Sequence, residues 1–284
     1  MKEGICYYNG SICGYDDVRI PLSDRSIYFA EAVYDVAIGE GGRVYQLHEH
    51  LSRLLSNATI LKLPHPDENE LIAIIRELLK KFGGAPFQLY LQISGYGECR
   101  LHHGRSGERS NLLITVTPRE KTDIGPVSLR TEEDNRHSIC NIKTTNLLCA
   151  VRSACEASVF GFDETMYLRN GIPTECSHSN FVTVRDGRVY SYPDSPYILS
   201  GITRNNVERI CRNAGIPFCK EALPLPLVTS SDAVIILSTT KLGRRAYAID
   251  EKQLNTDDCD IADLIIDGLR QDYLLSMCKI NDEI

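Results

Sequence analysis

Short runs of alternating apolar and polar residues begin the chain and then give way to a helical spacing. Strand-like runs flank Asn9-Gly10 and Glu40-Gly41-Gly42, and each pair predicts a β-hairpin because these residues favour tight turns. A first helix is then predicted from the regular spacing of its apolar residues, which are Leu51, Leu54, Leu55, Ala58 and Leu61. A second helix is predicted for residues 67–83, which have an acidic start and a Lys-Lys-Phe-Gly end.

Two apolar runs, residues 87–94 and 111–118, predict strands on either side of a long polar stretch. That stretch has the sequence GYGECRLHHGRSGERS and predicts a loop. Long loops in compact domains are commonly functional, so this one is a candidate part of a binding site.

The second half of the chain mixes helices and strands without a strict strand–helix–strand alternation. Asn170-Gly171 and Asp186-Gly187 predict two further hairpins, and AVIILSTT predicts a buried strand. Apolar spacing predicts three more helices, within residues 146–162, 203–216 and 261–277.

The composition changes at residues 118–126, which we interpret as a linker between two domains. A chain of 284 residues exceeds the usual size of one domain. We therefore expect an α+β (mixed α/β) protein with a small N-terminal α/β domain at 1–119 and a larger domain at 120–284.

Composition and charge exclude several classes of protein. The net charge is −7, which argues against a nucleic-acid surface. Eleven cysteines occur singly, without a C-x-x-C pair, and favour free thiols in a reducing cytoplasm over disulfides or a zinc site. No run has the character of a signal peptide or the length of a membrane span. We expect a soluble cytoplasmic protein with no metal, membrane or nucleic-acid partner.

Three groups between Cys140 and Arg204 have the chemistry that pyridoxal phosphate (PLP) requires. Lys143, in CNIKTTNLL, offers an amine for a Schiff base, and Glu175, in PTECSHSNF, offers an acid for the ring nitrogen. ILSGITRNNVERI opens a helix whose first N–H groups suit a phosphate. The ordinary alternative for Lys143 and Glu175 is a solvated surface side chain.

Six sequence segments together resemble the fold-type IV (class IV) PLP-dependent aminotransferases, and D-amino-acid aminotransferase most of all. The segments are AVYDV, HEHLSRL, CNIKTTNLL, TECSHSNF, LSGITRNNV and LSTT. The resemblance runs from Asp24-Arg25 to Thr240, which is most of the chain. It implies PLP as cofactor and a larger, PLP-binding C-terminal domain built as a pseudo-barrel.

The same resemblance assigns residues to the cofactor. Lys143 would form the Schiff base and move the proton, Glu175 would hold the ring nitrogen protonated, and Arg53 would bind the phosphate. From periodicity alone, Arg53 is a solvated residue of an amphipathic helix, Thr239 a strand-end residue and Leu199 a core leucine. The further implied cofactor-binding residues are Ser179, Asn180, Leu199, Ile202, Thr203 and Thr239.

The choice of substrate depends on Arg100-Leu101-His102 in the long polar stretch. D-amino-acid aminotransferases carry an Arg-x-His here, which reaches the neighbouring subunit's site and binds the substrate α-carboxylate together with a tyrosine. The resemblance therefore implies a homodimer with a shared active site, in which Arg100, His102 and Tyr34 bind the carboxylate. Thr240 would be a further substrate contact. The alternative is that Arg100 and His102 are simply solvated loop residues.

Two segments depart from the family pattern. Residues 241–245, with the sequence KLGRR, stand where the family usually has an acid followed by Val/Ile-x-Pro. Ala30-Glu31-Ala32 replace the glycine-rich residues that usually precede Tyr34. Arg244 and Arg245 would alter how a second carboxylate is held, whereas the cofactor assignment does not depend on either segment.

The implied reaction is transamination of D-amino acids, of the D-alanine or D-glutamate type, with 2-oxo acids such as 2-oxoglutarate. It would follow a ping-pong cycle through pyridoxamine phosphate. Branched-chain L-amino-acid aminotransferase and 4-amino-4-deoxychorismate lyase share the cofactor site and stay open as alternatives, as does a side activity on R-amines. A PLP-binding protein without activity is the remaining alternative.

Overall fold

The described residues divide into two units, each built on a sheet of its own. The computed structural model describes residues 4–97, 100–103, 105–120, 125–255, 258–275 and 277–279, except the side chains of 105–108 and 277–279. The first unit takes the described residues within 1–121, 142–146 and 275–284, and the second takes those within 122–141 and 147–274. A single cut at the predicted linker would leave Lys143 with the second unit, whereas the structure groups it with the first.

Helices and strands are mixed along the chain, as the predicted mixed α/β class requires. Up to residue 118 they are β1 (Ile5–Tyr8), β2 (Ser11–Gly14), α1 (Ser26–Phe29), β3 (Ala32–Glu40), β4 (Arg43–Tyr45), α2 (Leu47–Ile60), α3 (Glu68–Phe82), β5 (Phe87–Gly97) and β6 (Arg105–Pro118). Beyond it they are β7 (Val127–Glu133), α4 (Leu148–Val159), β8 (Glu164–Arg169), β9 (Ile172–Cys176), β10 (Asn180–Arg185), β11 (Arg188–Ser191), α5 (Ile202–Asn213), β12 (Phe218–Lys220), α6 (Leu225–Val228), β13 (Ala233–Ser238), β14 (Leu242–Ile249), β15 (Lys252–Gln253), α7 (Asp260–Leu275) and β16 (Met277–Lys279).

The first unit is built on one sheet with the strand order β16-β4-β3-β5-β6-β1-β2. Both hairpins predicted near the N-terminus are confirmed, and Asn9, Gly10, Gly41 and Gly42 have the positive φ angles that their tight turns need. The two predicted helices, α2 and α3, are also confirmed. They pack with the strands in one apolar core, whose fully buried members include Leu51, Leu54, Leu71, Ile75, Leu78, Leu89 and Leu91.

The polar stretch at 95–110 is mostly strand, so the prediction of a long loop was wrong. β5 continues to Gly97 and β6 begins at Arg105, and these two residues are paired. Backbone hydrogen bonds extend the hairpin here, and a polar sequence has no apolar alternation to reveal them. The remaining connection is residues 98–104, of which 100–103 are described.

The second unit is built on a sheet with the order β12-β11-β10-β13-β14-β7-β8-β9, and β15 pairs with β14. The predicted hairpins β8–β9 and β10–β11 are confirmed, and their turns at Asn170-Gly171 and Asp186-Gly187 have positive φ throughout. Helices α5 and α7 bury their apolar faces with β10 and β13; the cluster includes Val182, Val207, Cys211, Ile235, Ile265 and Leu269.

Strand β14 was not predicted, because Arg244 and Arg245 interrupt its apolar pattern. Arg244 donates from Nε to the Gly125 carbonyl at 2.7 Å, and Arg245 forms an ion pair with Asp263 of α7 at 2.8 Å. Both arginines are thus engaged within the second unit, and these contacts give their presence a reason that does not involve a substrate.

A membrane span is not found among the helices of the described residues, since none combines the required length with the required hydropathy.

Candidate active site

Lys143 lies in a short extended segment that pairs with the beginning of β3. The Tyr34 N–H donates to the Lys143 carbonyl at 2.9 Å, and the Thr145 N–H donates to the Ala32 carbonyl at 3.1 Å. These bonds fix the backbone on both sides of the amine. Lys143 Nζ lies 4.5 Å from the centroid of the Tyr34 ring, so it contacts the face of an aromatic ring.

Tyr34 is held in place by a second tyrosine. Its ring stacks on Tyr90 of β5 with 5.5 Å between centroids, and the Tyr90 hydroxyl donates to Gln92 Oε1 at 2.7 Å. Burial raises the pKa of Tyr90 above its ordinary value of 10.0, which keeps the hydroxyl a donor at neutral pH. The structure therefore brings together Lys143 and Tyr34, two of the residues predicted from the sequence.

Arg53 is oriented by a fully buried acid, Asp35. Its Nε and Nη2 donate to the two Asp35 oxygens, both at 2.8 Å, and Asp35 Oδ1 also lies 2.7 Å from His50 Nδ1. Burial by itself raises the pKa of Asp35, but the charge of Arg53 and the hydrogen bonds from Arg53 and His50 hold it well below its usual range. Asp35 is therefore an anion at neutral pH and fixes the Arg53 guanidinium.

The sequence explains how these three side chains meet. Successive residues of a strand face opposite sides, so Asp35 points away from the side that carries Tyr34. His50 and Arg53 are three residues apart in α2, which puts them on one face of that helix. The helix packs on β3 through its apolar residues, and the two polar side chains close on the Asp35 carboxylate.

Glu175, near the end of β9, is the predicted partner of the ring nitrogen and is 5% exposed. Its Oε1 accepts from Arg136 Nη1 at 2.6 Å. Its Oε2 accepts from Asn180 Nδ2 at 2.9 Å and from the Leu199 N–H at 3.0 Å. The structure thus brings together three predicted residues, and both Asn180 and Leu199 act here as hydrogen-bond donors to the acid.

Arg136 divides its guanidinium between two acids. Its Nε and Nη2 donate to Asp134 at 2.9 and 3.0 Å, which leaves Nη1 for Glu175. The guanidinium also packs on the Tyr167 ring at 4.3 Å. Burial raises the pKa of Glu175, and the single contact with Arg136 opposes that rise only in part. Glu175 therefore has a greater affinity for a proton than a solvated glutamate.

The start of α5 offers backbone donors. Ile202 and Thr203 are its first residues and are buried, and the N-cap residue Gly201 supplies no side-chain cap. A Cβ at Gly201 would lie 1.9 Å from Asn180 Oδ1, so only glycine lets the backbone come this close. The first N–H groups of a helix without a side-chain cap are suited to an anion.

Three further residues predicted from the sequence are Ser179, Thr239 and Thr240. The Ser179 hydroxyl donates to Glu164 Oε2 at 3.0 Å, a contact with a different buried acid from Glu175. Thr239 and Thr240 form the half-buried turn between β13 and β14. That turn ends at Leu242, whose φ of 58° is unusual for a bulky residue and shapes the backbone after the threonines.

Arg100 and His102 are exposed and contact aromatic rings. The Arg100 guanidinium lies 5.8 Å from the centroids of both Tyr28 and Phe29, and the His102 ring lies 5.2 Å from that of Phe29. Within one chain, the contacts of these two predicted substrate residues are therefore with the segment around α1.

Sequence reasoning missed Asp35, His50, Asp134 and Arg136. Asp35 and His50 lie inside the segments AVYDV and HEHLSRL, so the acid after Tyr34 and the i, i+3 spacing of His50 and Arg53 were available signals. Arg136 had no comparable signal, because its partner Glu175 is 39 residues further on.

An amine, a buried acid, a helix start without a side-chain cap and an oriented arginine make the donor set of a PLP enzyme. The sequence profile of the amino-transferase class IV family matches residues 32–249, so the chain belongs to the class IV aminotransferase family. Class IV aminotransferases depend on PLP, and the donor set fits that cofactor.

Curated relatives and solved structures agree with this family. The chain is 30% identical over 244 residues to D-alanine aminotransferase of Bacillus licheniformis, covering 82% of this chain and 84% of the relative. It is 29% identical over 240 residues to D-alanine aminotransferase of Staphylococcus epidermidis, covering 82% and 85%.

Structures of the same fold have several activities. A branched-chain aminotransferase from Thermoproteus uzoniensis has a TM-score of 0.85 at 22% identity and covers 97% of this chain and 99% of its own. An aminotransferase from Brucella abortus bound to PLP has 0.84 at 21%, with coverage of 96% and 98%. A putative 4-amino-4-deoxychorismate lyase from Legionella pneumophila has 0.83 at 20%, with coverage of 91% and 97%. At these identities they establish the fold alone.

Proposed function

We propose that this enzyme transfers the amino group of D-amino acids, of the D-alanine or D-glutamate type, to 2-oxo acids such as 2-oxoglutarate in a ping-pong cycle. The observation that carries this proposal is the Arg100-Leu101-His102 sequence, which presents a guanidinium and an imidazole side by side on Phe29. The similarity to D-alanine aminotransferases supports it. The described cysteines are free thiols, and we propose the cytoplasm as the place of action.

Lys143 is the proposed catalytic residue. When bound, PLP supplies the carbonyl that takes up the amino group and the electron sink that acidifies the substrate Cα–H. Lys143 Nζ would attach the cofactor and then move the proton at the substrate Cα. The hydrogen bonds that fix its backbone and its contact with the Tyr34 ring support this role.

The other cofactor residues are proposed to bind and to orient. Glu175 would hold a proton on the ring nitrogen, a role that its burial and its hydrogen bonds with Arg136 and Asn180 support. Arg53 would bind the phosphate, and the first N–H groups of α5 would bind it as well. The residues proposed to complete this cofactor set are Ser179, Asn180, Leu199, Ile202, Thr203 and Thr239.

The substrate α-carboxylate is proposed to be bound by Arg100, His102 and Tyr34, with Thr240 as a further contact. An arginine fork matches a carboxylate in a bidentate geometry. We propose a homodimer in which Arg100 and His102 serve the active site of the partner subunit. A monomer with full activity would contradict that arrangement.

The test is to mix the purified PLP-loaded protein with D-alanine and, separately, with L-leucine, and to follow the absorbance of the bound cofactor. A change with D-alanine alone is expected, and the Lys143→Ala variant should show none. A change with L-leucine alone would replace the proposal by a branched-chain aminotransferase. A response to neither would favour the lyase or another substrate.

A further inference from the structure

The backbone before α1 is fixed on the β5–β6 hairpin by one buried acid, Asp24. Its Oδ1 accepts from the Ser26 N–H at 2.9 Å and the Ser26 hydroxyl at 2.6 Å. Its Oδ2 accepts from the Ser94 hydroxyl at 2.7 Å and from Asn111 Nδ2 at 2.8 Å. The next residue, Arg25, therefore starts from a firmly held backbone.

Arg25 reaches from this position to the segment at 100–103, which we name the carboxylate loop. Its Nη1 donates to the Leu101 carbonyl at 2.7 Å and its Nη2 to the His102 carbonyl at 3.1 Å. Its Nε pairs with Glu31. Arg25 is only 5% exposed, so these three contacts occupy a buried guanidinium.

The carboxylate loop has little apolar burial of its own to fix it. All four of its residues are exposed, and Leu101 is 47% exposed. Two neighbouring carbonyls bound by one rigid guanidinium define the orientation of the two successive peptides that follow Leu101 and His102.

The ring of Phe29 connects Arg25 with both predicted carboxylate ligands. The Arg25 guanidinium lies 4.5 Å from its centroid, the His102 ring 5.2 Å and the Arg100 guanidinium 5.8 Å. Arg25 therefore packs on the same ring as the Arg100 and His102 side chains, and it also holds the backbone of the carboxylate loop.

We propose that Arg25 is a positioning residue that sets the geometry of Arg100 and His102 for the substrate α-carboxylate. The proposal rests on the proposed function, since it takes Arg100 and His102 to be the carboxylate ligands. Arg25 acts through the loop and need not touch the substrate. A lysine at this position keeps the charge but loses the planar fork that binds both carbonyls.

The first experiment measures Arg25→Lys in the PLP-loaded enzyme, with rates normalised to bound cofactor. KM for D-alanine should rise about tenfold, because misplaced ligands weaken carboxylate binding, while kcat and the affinity for PLP change little. The matched control is Arg43→Lys, an exposed arginine of the same unit, which should leave all three unchanged. Unchanged KM, or an equal loss of PLP affinity, would overturn the proposal.

The second experiment combines Arg25→Lys with Arg100→Ala. If Arg25 acts through the loop, its effect on KM should largely disappear once Arg100 is removed. An effect of equal size in both backgrounds would overturn the proposal. If Arg100→Ala alone leaves KM for D-alanine unchanged, the proposed carboxylate binding fails and this inference with it. If Arg100→Ala raises KM and Arg25→Lys does not, only this inference fails.

A second variant covers the case in which Arg25→Lys does not fold. Phe29→Leu keeps an apolar side chain and removes the ring on which Arg25, Arg100 and His102 pack. It should raise KM for D-alanine severalfold at nearly constant kcat. A wild-type KM in this variant would contradict the idea that packing on the Phe29 ring positions the carboxylate ligands.

Discussion

Two buried pairs of arginine and carboxylate, one in each unit, use the same ionic contact in opposite ways. In the first unit the acid, Asp35, supports an arginine, Arg53, that we propose binds phosphate. In the second unit the arginine, Arg136, supports an acid, Glu175, that we propose faces the ring nitrogen. The acid is thus the supporting residue in the first pair, and the arginine is the supporting residue in the second.

The difference follows from how many arginine N–H groups each carboxylate receives. Asp35 accepts two N–H groups from Arg53 and contacts His50, and its pKa is lowered despite complete burial. Glu175 receives one N–H from Arg136, because the other two go to Asp134, and its pKa is raised by burial. The same kind of ion pair therefore accompanies a lowered carboxyl pKa in one place and a raised one in the other.

The largest effect should come from Glu175→Gln, which removes the proton-binding acid and keeps its shape. Turnover of D-alanine should fall by roughly 10²–10³-fold, because an amide cannot stabilise positive charge at the ring nitrogen. Steady-state rates at saturating PLP measure this. The control is Glu156→Gln, which breaks an ion pair with Arg130 near the surface and should leave turnover unchanged. A Glu175→Gln variant with wild-type turnover would refute the role of the acid.

The next largest effect should come from Arg53→Lys, which keeps the positive charge beside Asp35 but loses the forked guanidinium. PLP affinity should fall about 10- to 100-fold, since charge-assisted hydrogen bonds to phosphate are lost. Titration of the apoprotein with PLP gives the affinity, and turnover at saturating cofactor should change much less. An unaltered dissociation constant would show that Arg53 does not bind the phosphate.

Asp35→Asn should destabilise the first unit without directly removing a cofactor contact. The expected loss is about 3 kcal/mol at pH 7, because Arg53 loses the charge of its partner. Asp35 has a folded pKa below its ordinary 3.8, so its stabilisation is fully present above pH 3.8 and is lost as the pH falls from there through the lower folded pKa. Urea unfolding from pH 7 down to well below pH 3.8 should therefore show a steeper acid decline in the wild type than in the variant. Parallel curves would contradict the lowered pKa.

The fold was predictable wherever its signals are local. Asn170-Gly171 and Asp186-Gly187 required hairpins, and the apolar spacing of α2 and α3 required helices. β14 was missed because the partners of Arg244 and Arg245 are distant: the Gly125 carbonyl lies 119 residues before the first, and Asp263 belongs to α7. Polar side chains inside a strand look like loop residues until those partners are known.

The residues that we propose for the cofactor could be singled out from the sequence, but the contacts that support them could not. Lys143, Glu175 and Arg53 each stand in a short segment that resembles a family motif. Asp35 also stands in such a segment, but its pairing with Arg53 and the pairing of Arg136 with Glu175 are tertiary contacts. The pKa directions of the two acids follow from burial and from the number of arginine N–H groups that each acid receives, neither of which a sequence displays.

The smallest effect should come from His50, which supplies a single contact to Asp35. His50→Asn can present its amide nitrogen where the ring presents Nδ1, whereas His50→Leu cannot donate at all. Nε2 is buried without a hydrogen-bond partner among the described residues, so losing it should cost little. The Leu variant should therefore be less stable than the Asn variant by about 1.5–3 kcal/mol at pH 7, the value of one hydrogen bond to a charged group. Equal stabilities in urea unfolding would mean that the Arg53 fork alone is enough to keep Asp35 ionised, and that the first pair differs from the second by its arginine only.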